Sequence, residues 1–320
     1  MTPSEKADKL CKFTLENAND IVSHSSSQQV VQLLLQNPTV RIQNVNATKQ
    51  KLEKILSGGQ EDLHFISDFD MTMSRHWVRN KVTDALERNA SSHGIPARYS
   101  KMNPEFKAET ARLLNKYYPI EIDKVMSYDD KVPYMVEWWQ QAHKVIIDQK
   151  ITHQDIDGMV EEAQLQMRPG VETVLMHCHD RAIPFLVFSA GLANVIQRIL
   201  EQARLMMPNM HIVSNLMKFN DQGYCDGFED PLIHVFNKSE FQLESTPYYS
   251  TIKDRKNVIL MGDSIGDLQM SQGVKHDICL NVGFLNHDIE ALTPRYLDAF
   301  DIVILGDANM NPIIDLLNHV

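Results

Sequence analysis

The stretch FISDFDMT, residues 65–72, places two aspartates directly after a short apolar run that begins at Leu63. Such a run is typical of a buried parallel strand, and ligands of open α/β sheets bind at the carboxyl ends of such strands. In extended chain, residues i and i+2 face the same side, so we expect Asp68 and Asp70 to share one pocket. Two close carboxylates repel each other unless a proton or a cation lies between them. The stretch therefore suits a magnesium ion with a nucleophile and a proton donor; the alternative is a helix N-cap aspartate with a solvated neighbour.

The composition is that of an ordinary globular protein, with 320 residues of which 43% are hydrophobic and 23% charged. The net charge of −11 argues against binding to a nucleic acid polymer, but a small phosphate ester needs only one or two local cations. The four cysteines lie far apart, which favours reduced thiols. We find no membrane span, signal peptide or heptad run, and we therefore expect a cytoplasmic monomer.

The rest of the sequence predicts an inserted domain followed by alternating strands and helices. Residues 1–59 show helical spacing and are expected to form an N-terminal extension that ends at Gly58-Gly59, with its first forty residues loosely packed. Residues 76–169 contain no second convincing strand and are expected to form a mainly helical cap. Residues 60–75 and 170–320 would form the core, with later strands at 185–188, 212–213, 258–261, 278–282 and 302–305. This order predicts an α/β fold, a doubly wound, Rossmann-like parallel sheet with a cap inserted after its first strand.

Further polar groups follow the later strands. FSAG brings Ser189 and small-residue amides to a helix N-terminus, which suits phosphate oxygens. Lys238 follows the stretch IHVFN and could deliver one ammonium group, and GDSIGD supplies Asp263 and Asp267 on a glycine-rich turn. Each piece alone is common in proteins as an ordinary turn or a solvated charge. Together, and in this order, they provide the parts that phosphoryl transfer needs.

The motifs DFDMT, FSAG, the later lysine and GDSIGD resemble those of the haloacid dehalogenase-like superfamily of phosphatases. From about residue 60 to the C-terminus, the sequence is similar to the cytosolic 5′-nucleotidase III family. The similarity is carried by YYPIEID (117–123), YMVEWW (134–139), VSN (213–215) and LIHVFNK (232–238). That family contains a pyrimidine nucleotidase and a 7-methylguanosine phosphate-specific nucleotidase. Residues 1 to about 40 lie outside the resemblance.

The resemblance implies a two-step mechanism. Asp68 would attack the phosphorus and form an aspartyl-phosphate, while Asp70 would protonate the leaving nucleoside oxygen and then activate water. Mg²⁺ would be held by Asp68, the backbone carbonyl of Asp70 and Asp263, and Asp267 would orient these ligands. The residues implied to bind the phosphoryl oxygens are Ser189, Ala190 and Lys238.

The resemblance also places the nucleobase against the cap. Glu121 matches a glutamate that faces the base and could accept hydrogen bonds from the ring N–H and the amine of guanine. Alternatively, it is an N-terminal helix residue whose charge interacts favourably with the helix dipole. Trp139 and Ala142 stand where the pyrimidine type has tyrosine and serine, and a tryptophan face suits the cationic 7-methylguanine ring. His93 stands where the methylguanosine type has an aromatic ring. A neutral imidazole could stack on the base, whereas a protonated one would repel it.

The resemblance, together with these residues, implies a magnesium-dependent 5′-nucleotidase that prefers 7-methylguanosine 5′-monophosphate, also accepts CMP, and transfers phosphate to another nucleoside as a side activity. One alternative is a pyrimidine-specific enzyme for UMP and CMP, which His93 favours and Trp139 disfavours. A phosphatase for another small ester, such as phosphoserine, is disfavoured by the long aromatic cap. A catalytically silent nucleotide-binding protein would be expected to lack at least one of the chemical residues.

Overall fold

The computed structural model describes residues 26–80, 83–123, 125–238, 248–272 and 275–320. Its strands are β1 (Val40–Arg41), β2 (Leu63–Ser67), β3 (Trp77–Arg79), β4 (Leu86–Arg88), β5 (Phe185–Leu192), β6 (Met210–Asn215), β7 (Met217–Phe219), β8 (Cys225–Phe228), β9 (Asn257–Gly262), β10 (Ile278–Leu285) and β11 (Ile302–Leu305). Seven of them form one sheet in the order β1-β11-β10-β9-β2-β5-β6. Neighbouring strands are parallel, except that β1 is antiparallel to β11.

The helices cover both faces of this sheet, as a doubly wound fold requires. They are α1 (residues 26–36), α2 (Val45–Asp62), α3 (Ile95–Arg98), α4 (Pro104–Glu121), α5 (Tyr128–Asp148), α6 (His153–Ala163), α7 (Val171–Asp180), α8 (Ala193–Gln202), α9 (Tyr249–Ile252), α10 (Ile289–Ala299) and α11 (Asn311–Leu317). A 3₁₀ helix spans Ile265–Ser271. No helix in the described ranges has both the length and the apolar content that a membrane crossing needs.

Strand β2 lies where the chain changes direction across the sheet. After β2, the chain adds β5 and β6 on one side and then β9, β10 and β11 on the other. Ser67, the last residue of β2, pairs with Val187 on β5 and with Met261 on β9. The residues that follow these three positions therefore meet in one crevice, which is where ligands bind in open α/β sheets.

Side-chain alternation along the strands divides the interior into two cores. Phe65 and Ile259 face the core that α1, α2, α7, α8 and α11 cover, whereas Ile66 and Leu260 face the other side of the sheet. That second core also contains Trp138 and other cap residues. The cap is therefore packed onto the sheet next to the crevice.

The expectation of a loosely packed N-terminal segment is wrong for its described residues, 26–40. Val30 and Leu34 of α1 are fully buried in the main core, and β1 adds an edge strand to the sheet. The helical spacing was correctly interpreted, but its apolar stripe needs a surface to cover, and the sheet provides it. The helix α2 is interrupted at Gly59, whose φ of 62° is left-handed, where the sequence predicted a helix end.

The cap is mainly helical, as expected. The helical spacing of the sequence predicts helices over 106–118, 132–147 and 153–167, and these correspond to α4, α5 and α6. Helix α6 ends at Ala163, short of the predicted 167, because Gln164 adopts a left-handed φ of 45°. The sequence did not reveal the β3–β4 hairpin at the start of the cap, whose three-residue strands carry little periodic signal. In the core, all five later strands are confirmed, whereas the β7–β8 hairpin and helices α10 and α11 were not predicted.

A buried arginine fastens the two segments that join cap and core. Arg168 donates hydrogen bonds to the carbonyls of Met71 (2.5 Å), Thr72 (2.6 Å) and Ala308 (2.6 Å). Its guanidinium also lies 3.3 Å from a carboxylate oxygen of Asp307. The loop that follows Asp68 is therefore held by the segment that leaves the cap.

Candidate active site

Three carboxylates meet at the end of β2, of which those of Asp68 and Asp267 are buried and that of Asp263 is half-buried. Oxygens of Asp68, Asp263 and Asp267 all lie within 4.8 Å of one another. Asp68 is fixed through its amide, which donates to the carbonyl of Met261 at 2.9 Å. The resemblance implies that Asp267 orients the metal ligands, and one of its oxygens lies within this group. Its Oδ2 accepts a hydrogen bond from the amide of Ser264 (2.9 Å) and caps the following 3₁₀ helix.

Lys238 lies among these carboxylates with only 3% of its surface exposed. Its Nζ donates to Oδ1 of Asp68 and, at 2.8 Å, to Oδ1 of Asp267. Burial lowers the pKa of Lys238, but the two carboxylates outweigh burial and raise the pKa above its ordinary value. The lysine therefore remains charged and neutralises part of the local negative charge.

The carboxylates carry more negative charge than one ammonium can balance. Burial raises the pKa of Asp68 to about 7, with Lys238 opposing this shift. Burial also raises the pKa of Asp263, and the nearby Asp68 and Asp267 add to the effect. Raised pKa values indicate that the ionised forms lack a counter-charge, and a hard divalent cation with oxygen ligands would supply it. This donor set therefore fits Mg²⁺.

Residues 189–191 form a bulged loop within β5, where its register with β6 shifts, and this loop is held by both the core and the cap. The carbonyl of Ala190 accepts hydrogen bonds from Nε1 of Trp139 and from Nδ2 of Asn215, both at 2.9 Å. Asn215 also exchanges two hydrogen bonds with the backbone of Ile233, in the segment that leads to Lys238. The sequence offered no role for Asn215 beyond its place in a family-like segment.

Asp70 points toward the cap and not toward the carboxylate group. Both of its oxygens accept hydrogen bonds from Ser92, one from the backbone amide and one from Oγ, each at 2.7 Å. Burial raises the pKa of Asp70, and the bonds from Ser92 lower it. Ser92 was not singled out in the sequence, where it was only a neighbour of His93.

The aromatic residues predicted to contact the base lie together on the cap. Trp139 is 6% exposed, and Ala142 lies one turn further along α5. The ring of His93 lies 5.6 Å from the ring of Trp139 at an angle of 47°. A base between two rings needs roughly 7–8 Å, twice a carbon–carbon contact, so these two rings do not form a ready slot. Burial lowers the pKa of His93 to about 4, which makes its imidazole neutral near pH 7.

Glu121 ends helix α4 and is half-buried. Burial raises the pKa of Glu121 to about 7, while the charges of Arg88, Lys131 and Lys238 lower it. Within the described ranges, no hydrogen bond to its carboxylate is found, so the group is available to a ligand. The charge of Arg88 also lowers the pKa values of Asp70 and Asp263. The sequence analysis missed Arg88 because nothing in the sequence distinguishes it from other surface arginines.

Comparisons with known proteins agree on one family. The family model described as pyrimidine 5′-nucleotidase (UMPH-1) matches residues 71–320. The human 7-methylguanosine phosphate-specific 5′-nucleotidase is 37% identical over 89% of this chain and 94% of its own length, and its Gallus gallus counterpart is 38% identical over 89% and 97%. The crystal structure of cytosolic 5′-nucleotidase IIIB bound to cytidine aligns with a TM-score of 0.83 at 35% identity, covering 90% of this chain and 96% of that chain.

Proposed function

The chain belongs to the pyrimidine 5′-nucleotidase (UMPH-1) family and is a 5′-nucleotidase, and we propose that it prefers 7-methylguanosine 5′-monophosphate, accepts CMP, and acts through an aspartyl-phosphate on Asp68. The observation that carries this proposal is the hydrogen bond from Nε1 of Trp139 to the carbonyl of Ala190. It attaches an aromatic platform for a base directly to the loop proposed to bind phosphate. A nucleoside monophosphate presents these two groups together.

In the first step, an oxygen of Asp68 forms a bond to phosphorus as the bond to the nucleoside O5′ breaks, and Asp70 gives its proton to that oxygen. In the second step, Asp70 takes a proton from water, the water oxygen attacks phosphorus, and the bond to Asp68 breaks. Phosphate leaves, and both aspartates return to their starting forms. Lys238, Ser189 and the amide of Ala190 would bind the phosphoryl oxygens throughout.

Magnesium would be held by Asp68, the backbone carbonyl of Asp70 and Asp263, with Asp267 orienting these ligands and Lys238. A bound Mg²⁺ supplies positive charge that stabilises the phosphoryl oxygens in the transition state. The raised pKa values of Asp68 and Asp263 support this assignment, because a cation would return both groups to their ionised forms.

The preference for 7-methylguanine rests on Trp139, whose face would attract a cationic ring, and on a neutral His93, which would not repel it. Glu121 would accept hydrogen bonds from the guanine edge. Because the rings of His93 and Trp139 are only 5.6 Å apart, the base would not fit between them as they stand. It would stack on one of the two rings alone, or it would push the His93 and Trp139 rings apart. A pyrimidine-specific enzyme for UMP and CMP is the second candidate. It is favoured by the description of the family model and by the cytidine in the structure of the cytosolic 5′-nucleotidase IIIB relative.

The same proposal includes transfer of the phosphoryl group from Asp68 to a second nucleoside, since a well-placed hydroxyl can replace water. We also propose a cytoplasmic monomer that does not bind nucleic acid polymers. The similarity to a cytosolic relative, 5′-nucleotidase IIIB, supports the location, and the net charge of −11 disfavours polymer binding.

Phosphate release from 7-methyl-GMP, GMP, CMP, UMP and AMP, each with Mg²⁺ and with chelator, tests the proposal. We expect 7-methyl-GMP to be hydrolysed far faster than GMP, with CMP second, and every rate to be lost in chelator. Preference for both CMP and UMP would establish the pyrimidine alternative. Absence of turnover on every nucleotide in the presence of Mg²⁺ would refute the proposed function.

A further inference from the structure

Ser92 binds both oxygens of Asp70, its amide donating to Oδ1 and its hydroxyl to Oδ2. The donors lie 22 residues along the chain from Asp70, in the cap, and each donor–acceptor distance is 2.7 Å. Ser92 is fully buried and Asp70 is half-buried, so the donors of these bonds are shielded from solvent while the acceptor keeps some access to it. Two bonds to two oxygens fix both the position and the rotation of the carboxyl plane, which a single bond would leave free.

The backbone of Gly191 lies against the same hydroxyl. A Cβ added at Gly191 would lie 1.8 Å from Oγ of Ser92 and 3.1 Å from its Cβ. It would also lie 3.2 Å from Oγ of Ser189, a contact that a small rotation could relieve. The φ of Gly191 is not left-handed, so the need for glycine here is one of space and not of backbone conformation.

We propose that Ser92 is a positioning residue that holds Asp70 for proton transfer, and that residue 191 is glycine because the hydroxyl of Ser92 occupies the neighbouring space. The inference rests on the proposed function, in which Asp70 protonates the leaving oxygen. A general acid must lie within hydrogen-bond reach of its target, so the orientation of its carboxyl group controls the rate. Through Ser92, the cap that contacts the base also orients the acid.

Two phosphate esters, one whose leaving group needs a proton and one whose leaving group does not, distinguish the positioning of Asp70 from a general loss of activity. In Ser92→Ala the amide bond to Asp70 remains, so we expect kcat/KM for CMP to fall about tenfold, the effect of one charge-assisted hydrogen bond. The value of kcat/KM reports only the first step, the transfer of the phosphoryl group to Asp68. For p-nitrophenyl phosphate, whose phenolate leaves without a proton in this step, kcat/KM should therefore fall less than about twofold. Ser91→Ala, which removes a neighbouring hydroxyl bonded to the amide of Gly94, is the matched control and should change neither ester. Equal losses on both esters in Ser92→Ala, or no loss on CMP, would overturn the inference.

The contact with Gly191 gives a second, independent test. Gly191→Ala must displace Ser92 and should reduce kcat/KM for CMP at least as much as Ser92→Ala does. In the double variant the oxygen at 1.8 Å is absent and only the contacts at 3.1 Å and 3.2 Å remain, so its activity should rise from that of Gly191→Ala toward that of Ser92→Ala alone. A double variant as inactive as Gly191→Ala would show that the added methyl acts elsewhere and would overturn the steric assignment.

Asp70→Asn separates failure of the inference from failure of the proposed function. If Asp70→Asn retains full activity on CMP, the acid–base assignment itself is wrong. If Asp70→Asn is inactive and Ser92→Ala is fully active, the proposed function stands and the positioning role of Ser92 is refuted.

Discussion

The protonation of Glu121 predicts a base preference that changes with pH. Its pKa is raised by burial to about 7, and Lys238 is among the charges that act on it, which places the carboxyl within electrostatic range of the phosphate site. An ionised carboxylate only accepts hydrogen bonds, and the guanine edge offers two donors, a ring N–H and an amine. A protonated carboxyl donates one bond and accepts one, which matches the ring nitrogen and amine of cytosine. High pH should therefore favour 7-methyl-GMP, and low pH should favour CMP.

The magnitude follows from the pKa. For a group with a pKa of about 7, the ratio of ionised to protonated forms changes tenfold per pH unit, so it rises about a hundredfold between pH 6 and pH 8. If only the ionised form binds the guanine edge and only the protonated form binds cytosine, the titration of Glu121 raises the ratio of kcat/KM for 7-methyl-GMP to that for CMP by the same factor. Loss of the N1 proton of the cationic 7-methylguanine ring opposes this rise at the upper end of the range, because the ring then loses one of its two donors. Titration of the phosphate group is common to both substrates and cancels in this ratio.

The assay measures both kcat/KM values at half-unit steps from pH 6 to pH 8, for the wild type and for Glu121→Gln. Glutamine donates and accepts at all these pH values and so mimics the protonated acid. The variant should therefore favour CMP, with a ratio that no longer follows Glu121. Any titration of the substrate bases persists in the variant and can be subtracted. Identical pH dependence of the ratio in both proteins would refute the role of Glu121 in base recognition.

Three further predictions concern the nucleophile, the base platform and the N-terminal segment. Asp68→Asn should abolish phosphate release from every nucleotide while leaving the circular dichroism spectrum unchanged; retained turnover would exclude Asp68 as the nucleophile. Trp139→Tyr loses the bond to Ala190 and part of the cation–π attraction, so the ratio of 7-methyl-GMP to CMP turnover should fall about two- to fivefold, and an unchanged ratio would remove Trp139 from the base site. Leu34→Ala, at a side chain 1% exposed, should lower the free energy of unfolding in urea by about 2–5 kcal/mol, whereas Leu35→Ala, 49% exposed, should change it by less than about 0.5 kcal/mol. Equal effects of the two leucine variants would show that α1 does not pack as described.

The central part of the site was predictable because each strand can be located from its own apolar run, and pairing of the strands then brings the residues that follow them together. The motifs that carry Asp68, Ser189 and Asp263 follow apolar runs, and in a parallel sheet these runs align at their carboxyl ends. Once Ser67 pairs with Val187 and Met261, the residues after them must meet. The sequence thus indicated that Asp68 and Asp263, from two separate motifs, approach one another, whereas the side chain of Asp70, expected to share a pocket with Asp68, is bound by Ser92 of the cap.

The contacts between cap and core were not predictable in the same way. Ser92 reaches Asp70 from a loop that carries no periodic signal, and its partner is decided by how the whole cap packs on the sheet. The same limit applies to α1, where the apolar spacing indicated a helix but not the surface that it covers. Periodicity reports which face of an element is buried, and it does not report what that face meets.

The loop 189–191 connects base recognition to chemistry, because two cap residues contact it directly. Trp139 donates to the carbonyl of Ala190, and the hydroxyl of Ser92 lies against Gly191 while it holds Asp70. A base that shifts Trp139 would therefore also shift the loop proposed to bind the phosphoryl group. Binding energy from a distant part of a substrate can raise kcat when it orients the reacting groups. A base that fits Trp139 poorly should thus lower kcat as well as raise KM, and this combined effect distinguishes a shared loop from two independent subsites.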